Sequence, residues 1–198
     1  MLKKLVLGGV LGSLVLMAWS TVSWMALPFH MKSFATLADE AAVGKVLVKN
    51  APADGIYLLP NMHAAIAAAP ADQRKAVEEK CQAAMKAGPT GFLVIHPGGV
   101  DMKAAMGRMM GRGFLIGAAA CAVVTWIILQ ATGAGFLVRT VIAVLAGAGG
   151  AISTNMNYWN WWGFSGPYTC LESCDLLAGW VLAGLVLAKV TGGKRKKR

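Results

Sequence analysis

All three histidines, His30, His63 and His96, and seven of the eleven methionines fall between Pro28 and Arg112. Two pairs are adjacent, His30-Met31 and Met62-His63, while Met102, Met106, Met109 and Met110 recur at helical spacing. Imidazole and thioether donors suit Cu(I) and Cu(II) in an oxidising compartment. One expectation is therefore a copper set drawn from His30, Met31, Met62, His63, His96, Met102 and Met106. The competing expectation is packing: methionine fills irregular apolar space, and a helix entering a bilayer needs apolar groups on its buried face. No H-x-x-x-H, C-x-x-C or carboxylate-bracketed pair fixes a ligand geometry. On the packing reading no cofactor is expected, and copper enters only on the alternative one.

Cys170 and Cys174 form a C-x3-C pair. In a non-helical loop this spacing permits a disulfide, whereas along a regular helix the geometry is poor. Cys81 offers a second route, a bridge to either of them, and free thiols are the third. Close by, Trp159, Trp161 and Trp162 place three of the seven tryptophans within four positions. An aromatic belt at headgroup level accounts for them. They also suit a platform for a quinone, a lipid or a partner helix, with Glu172 or Asp175 as its polar end. Acids at the end of a span are cheap and do not by themselves mark a transport path.

The elements that must position these groups follow from composition. Of 198 residues, 57% are hydrophobic and 14% charged, against about a quarter charged in a typical soluble domain. This excludes a disordered chain, and four cysteines are too few for a disulfide-stapled miniprotein. A membrane span needs roughly 20 mostly apolar residues. Leu5 to Leu27 supplies one, after Lys3-Lys4 and up to Pro28; Phe114 to Ala131 and Phe136 to about Thr154 supply two more. Leu176 to Ala188 is short, and Lys189 must snorkel its amine to let that helix reach Gly193. Residues 1–27 also have the basic start and apolar run of a cleavable signal peptide. Their apolar stretch continues past Ser23 without an A-x-A site, which favours an uncleaved signal anchor.

Between the first two spans the composition changes, with 17 of the 28 charged residues in 28–112. Asp39-Glu40 opens a short helix, Ile56–Leu59 and Phe92–Ile95 read as strands, Pro70 starts a second helix, and a third runs from about Val100 into the second span. Two four-residue strands make no independently stable sheet, so this α-β-α-β-α stretch reads as a membrane-abutting module without a deep enzyme cleft. Placing the N-terminus in the cytoplasm puts nine basic residues, including the tail Lys194 to Arg198, on that side and all nine acids on the other. Lys103, Arg108 and Arg112 run against this, but in a long loop where the charge rule is weaker. The +10 charge then reads as topology anchoring and contact with anionic lipid, not nucleic-acid binding.

The expected architecture is a membrane all-α protein, with four transmembrane helices and a small extracytoplasmic α+β module between the first and second. Its parts are the first helix at 1–27, the module at 28–112, a three-helix region at 113–193 with an aromatic outer loop at 155–175, and a basic cytoplasmic tail at 194–198. The layout resembles that of small multi-pass proteins of the bacterial inner membrane, with both termini cytoplasmic. Small residues such as Gly8, Gly9, Gly12, Gly147 and Gly184 let helices approach closely in a bundle or homo-oligomer. The spans hold almost no ionisable group beyond Arg139, which weighs against a coupled transporter. No P-loop, G-x-S-x-G, H-E-x-x-H or G-x-G-x-x-G string is present. The first functional expectation is a non-enzymatic accessory, assembly or scaffold protein that meets a membrane-protein partner through its outer module and aromatic loop. The second is an extracytoplasmic copper-handling protein, and the third a small oligomeric channel or transporter.

Overall fold

A computed structural model describes residues 1–192. The basic tail at 194–198 lies outside the described residues. The chain divides into two compact units, one formed by residues 1–35 with the chain from Met102 onward, the other by Thr36–Asp101.

The first unit contains four helices long and apolar enough to cross a membrane, and the chain is a multi-pass membrane protein. Helix α1 (Leu2–Thr21) continues through a π-helical turn, Val22–Ala26, so that the whole apolar stretch is 25 residues long. It ends at Leu27, whose extended backbone is what the following Pro28 demands. A single turn, α2 (Phe29–Lys32), follows.

The segment that follows belongs to the other unit. Helix α3 (Glu40–Asn50) is capped by Asp39, which accepts a hydrogen bond from the Ala42 amide at 2.8 Å. Strands β1 (Gly55–Leu59) and β2 (Gly91–Ile95) pair antiparallel, Gly55 opposite Ile95 and Leu59 opposite Gly91. Between them lie α4 (Met62–Ala68), capped by Asn61, and α5 (Arg74–Ala87). With the helix that begins at Met102, the order from α3 onward is α-β-α-α-β-α, one helix more than the sequence suggests. Asn61 caps a helix instead of merely closing a turn, and α5 begins at Arg74, four residues after Pro70.

Helix α6 (Met102–Gln130) is continuous, as expected of a helix running into the second span. The turn through Gly133 leads to α7 (Phe136–Trp162), and Gly163, at φ 72° and ψ 24°, breaks the chain before α8 (Gly166–Thr191). Here the structure corrects the reading of 155–175 as a loop. Only Gly163 to Ser165 is non-helical. Asn157 bonds back to the Ser153 carbonyl at 2.8 Å, and Ser165 caps α8 by accepting from the Tyr168 amide at 3.3 Å. The fourth span is consequently ten residues longer at its N-terminal end than Leu176 to Ala188 implied, with Pro167 in its first turn, where a missing N–H costs nothing.

The packing order across this unit is α6, α1, α8, α7, with only light contact between α6 and α7. The core consists of Cys121, Val124, Ile128, Ala143, Trp180 and Leu187. Small residues make the close approaches. A Cβ on Gly9 would stand 2.9 Å from the Ala118 carbonyl oxygen, and one on Gly12 would stand 2.7 Å from Cys121 Sγ. Most other apolar side chains on these helices face outward, as lipid-solvated helices require.

Candidate functional site

The polar chemistry of the helical unit gathers where α1 ends. The 18-residue step from Leu5 to Ser23 covers about 27 Å, close to the ~30 Å hydrocarbon thickness. Lys4 lies at the opposite end, where its Nζ donates to the Thr191 carbonyl at 2.9 Å. Ser23 thus emerges near one membrane boundary. Pro28 turns the chain, and α2 carries His30 back against α8, whose residues Glu172 and Asp175, three positions apart, share one face.

His30 Nδ1 lies 3.0 Å from Glu172 Oε1, and its Nε2 lies 2.8 Å from Ser23 Oγ and 3.6 Å from Asp175 Oδ2. Ser23 Oγ donates to Asp175 Oδ1 at 2.5 Å. The His30 ring thus sits between two carboxylates, and the Ser23 hydroxyl links its Nε2 to Asp175. Trp24 stacks on the ring at 4.1 Å and 12°, and Phe29 flanks it at 4.7 Å. Trp19 Nε1 adds a bond to the Asp175 carbonyl at 3.1 Å.

Serine, histidine and glutamate here follow the connectivity of a nucleophilic triad, but the hydroxyl is poorly suited to attack. Ser23 and His30 are both 0% exposed, and the serine proton points to Asp175 instead of to the imidazole. A triad needs an accessible hydroxyl that gives its proton to histidine. What the cluster does chemically is clamp the end of α1 to α8.

Beside the clamp, Asn155, Tyr158, Phe164, Tyr168, Thr169 and Glu172 line a cavity of about 110 Å³. Tyr158 stacks on Phe164 at 5.3 Å, Phe164 meets Tyr168 at 5.6 Å, and Tyr168 meets Phe34 at 5.6 Å. Asn155 Nδ2 donates to Ser173 Oγ at 3.3 Å. Thr169 Oγ1 is buried with no hydrogen-bond partner among the described residues.

The residues of the copper set are divided between the two units. His30 is consumed by the clamp, while its neighbour Met31 is 66% exposed. Met62 and His63 open α4, and His96, just after β2, pairs through Nδ1 with Asp54 at 3.0 Å. Met102 and Met106 lie on α6 with exposed side chains. Among the described residues no group of three or more His, Cys, Asp or Glu side chains is arranged to hold a metal ion. Cys170 and Cys174 are free thiols one turn apart on regular helix α8. The loop that would have let them bridge is absent, and a helical i, i+4 pair does not present the required geometry. Trp159, Trp161 and Trp162 end α7, with Trp161 73% exposed. Glu172 and Asp175, expected at the polar end of an aromatic platform, both partner His30.

Sequence reasoning missed Ser23, Trp19 and Trp24 as members of one cluster, and Tyr158, Phe164, Tyr168 and Thr169 as the lining of another. The only available signal was Glu172-x-x-Asp175 on a helix face, opposite a histidine just past the end of α1. No family model, curated protein or solved structure matches this chain.

Proposed function

We propose that this multi-pass protein is a non-enzymatic accessory, assembly or scaffold component of a bacterial inner membrane. Both termini lie in the cytoplasm, and the Thr36–Asp101 unit lies outside. The observation that carries this reading is the sealed clamp. Its histidine and serine have no exposed surface, so the most reactive-looking groups of the helical unit are committed to joining helices. The belt supports a recognition role: Trp159 is 53% exposed and Trp161 73%, and aromatic side chains are enriched both at headgroup level and in interface hot spots. The basic residues at the Lys4 and Lys189 end favour the cytoplasmic placement by the positive-inside rule.

Reporter fusions at residues 70 and 198 test the orientation: an exported reporter at 70 and a cytoplasmic one at 198 support it, and the reverse pattern overturns it. Detergent-free co-purification with mass spectrometry tests the partner. The expected result is a protein retained by the wild-type chain and lost from a Trp161→Leu, Trp162→Leu variant that still inserts. Retention unchanged by the double substitution would remove the aromatic surface from the proposal.

A further inference from the structure

We propose that the cavity between the facing ends of α7 and α8 binds a small organic ammonium group. Three aromatic rings, Tyr158, Phe164 and Tyr168, line it in a connected series with centroid spacings of 5.3 and 5.6 Å. One carboxylate, Glu172, and one amide, Asn155, complete the polar wall. Rings around a carboxylate are the surroundings that attract a diffuse organic cation, which each ring face holds within about 6 Å of its centroid. The volume of about 110 Å³ exceeds the ~10–15 Å³ needed for one water and suits a methylated or primary ammonium head.

Two further observations point to a ligand with these properties. Thr169, 4% exposed, lines the cavity with a hydroxyl oxygen that no described residue satisfies. Buried polar atoms are normally bonded, and an ammonium N–H would supply the missing donor. Charge is the second. Glu172 and Asp175 together carry two formal negative charges and the one histidine between them at most a single positive charge, so the clamp retains a net negative charge beside the cavity. An anionic ligand would be repelled. A bare divalent metal would want several oxygen ligands at about 2.0–2.6 Å, where this wall offers one carboxylate among rings.

The source of the ammonium is either a free amine or a lipid headgroup, since the cavity lies at the bilayer boundary. The test uses the full chain in nanodiscs of phosphatidylglycerol, which carries no amine, titrated with methylammonium chloride. Binding is read by saturation-transfer NMR against a sodium chloride control. Saturable binding is expected, weakened about fivefold in Tyr158→Leu and in Phe164→Leu, as loss of one cation–π contact implies. Thr169→Val should also weaken it while leaving thermal stability intact, which separates a lost contact from a lost fold. Discs containing phosphatidylethanolamine divide the sources. Suppression of the methylammonium signal there assigns the site to a headgroup, and an unchanged signal assigns it to a free amine. Absence of saturable binding in phosphatidylglycerol, or equal binding by all three variants and the wild type, overturns the proposal.

Discussion

Where α1 crosses α6, contact is made by leaving side chains out: a Cβ at Gly8 would collide with Thr125 Oγ1, and Gly9 and Gly12 sit against the Ala118 carbonyl and Cys121. At the other end of the same helix, contact with α8 is made by adding polar groups, through Ser23, His30, Glu172, Asp175 and Trp19. The first contact relies on dispersion at short range, because apolar burial drives nothing between helices already in lipid. The second relies on charge-assisted hydrogen bonds, stronger near a boundary where water competes less than in bulk. One helix therefore carries two kinds of adhesive. They should fail in different ways: small-residue contacts tolerate no added volume, and the clamp tolerates no lost partner.

Gly9→Leu is the harshest test of the first half. The obstacle is a backbone carbonyl at 2.9 Å, which no rotamer change can clear, and a loss of about 3 kcal/mol is expected. The shift should appear as earlier unfolding in a titration of mixed micelles with a denaturing detergent. Gly149→Leu, which meets nothing within 4 Å, is its control, and an equal loss there would dissolve the contrast. His30→Ala tests the second half. Removing the imidazole leaves two carboxylates side by side on one face of α8, though both are partly wet, with side chains 22% and 12% exposed. A loss of about 2–3 kcal/mol is expected, below the full cost of breaking a buried pair. Ser23→Ala removes only the relay between His30 and Asp175 and should cost about 1 kcal/mol. Last comes Thr169→Val. Its hydroxyl is unsatisfied, so replacing it with a methyl of similar shape should change stability by less than about 0.5 kcal/mol or raise it slightly. A large loss there would show that Thr169 belongs to the clamp.

The span count was legible because it depends on local composition alone: Lys3-Lys4, Arg112, Arg139 and Lys189 bracket runs that water solvates poorly. The continuity of α6 through Arg108 and Arg112 was legible too, from the methionine spacing before the second span. The ends of α7 and α8 were not, since Asn155, Asn157 and Asn160 signal turns locally. Tertiary packing and back-bonds such as Asn157 to Ser153 override that preference. The clamp was hidden for a different reason. His30 and Glu172 are 142 positions apart, and Ser23 and Asp175 are 152 apart, so no periodicity connects them. His30 looked like a ligand because its other partners are far away in sequence.

The wide turn at Val22–Ala26, closed by the Leu27 amide bonding to the Val22 carbonyl at 3.2 Å, has the spacing of a helix carrying one surplus residue. The winding of the helix up to this turn sets the azimuth at which the chain reaches Pro28. The wide turn absorbs its own surplus, but an in-frame loss of a single codon from the regular helix just before it would swing everything downstream by about 100°. Ser23 and His30 would then turn away from α8 although every amino acid that binds them was still encoded. The vulnerability of this protein therefore includes its indels as well as its substitutions, and a short deletion scan across the stretch would map how finely that phase is set.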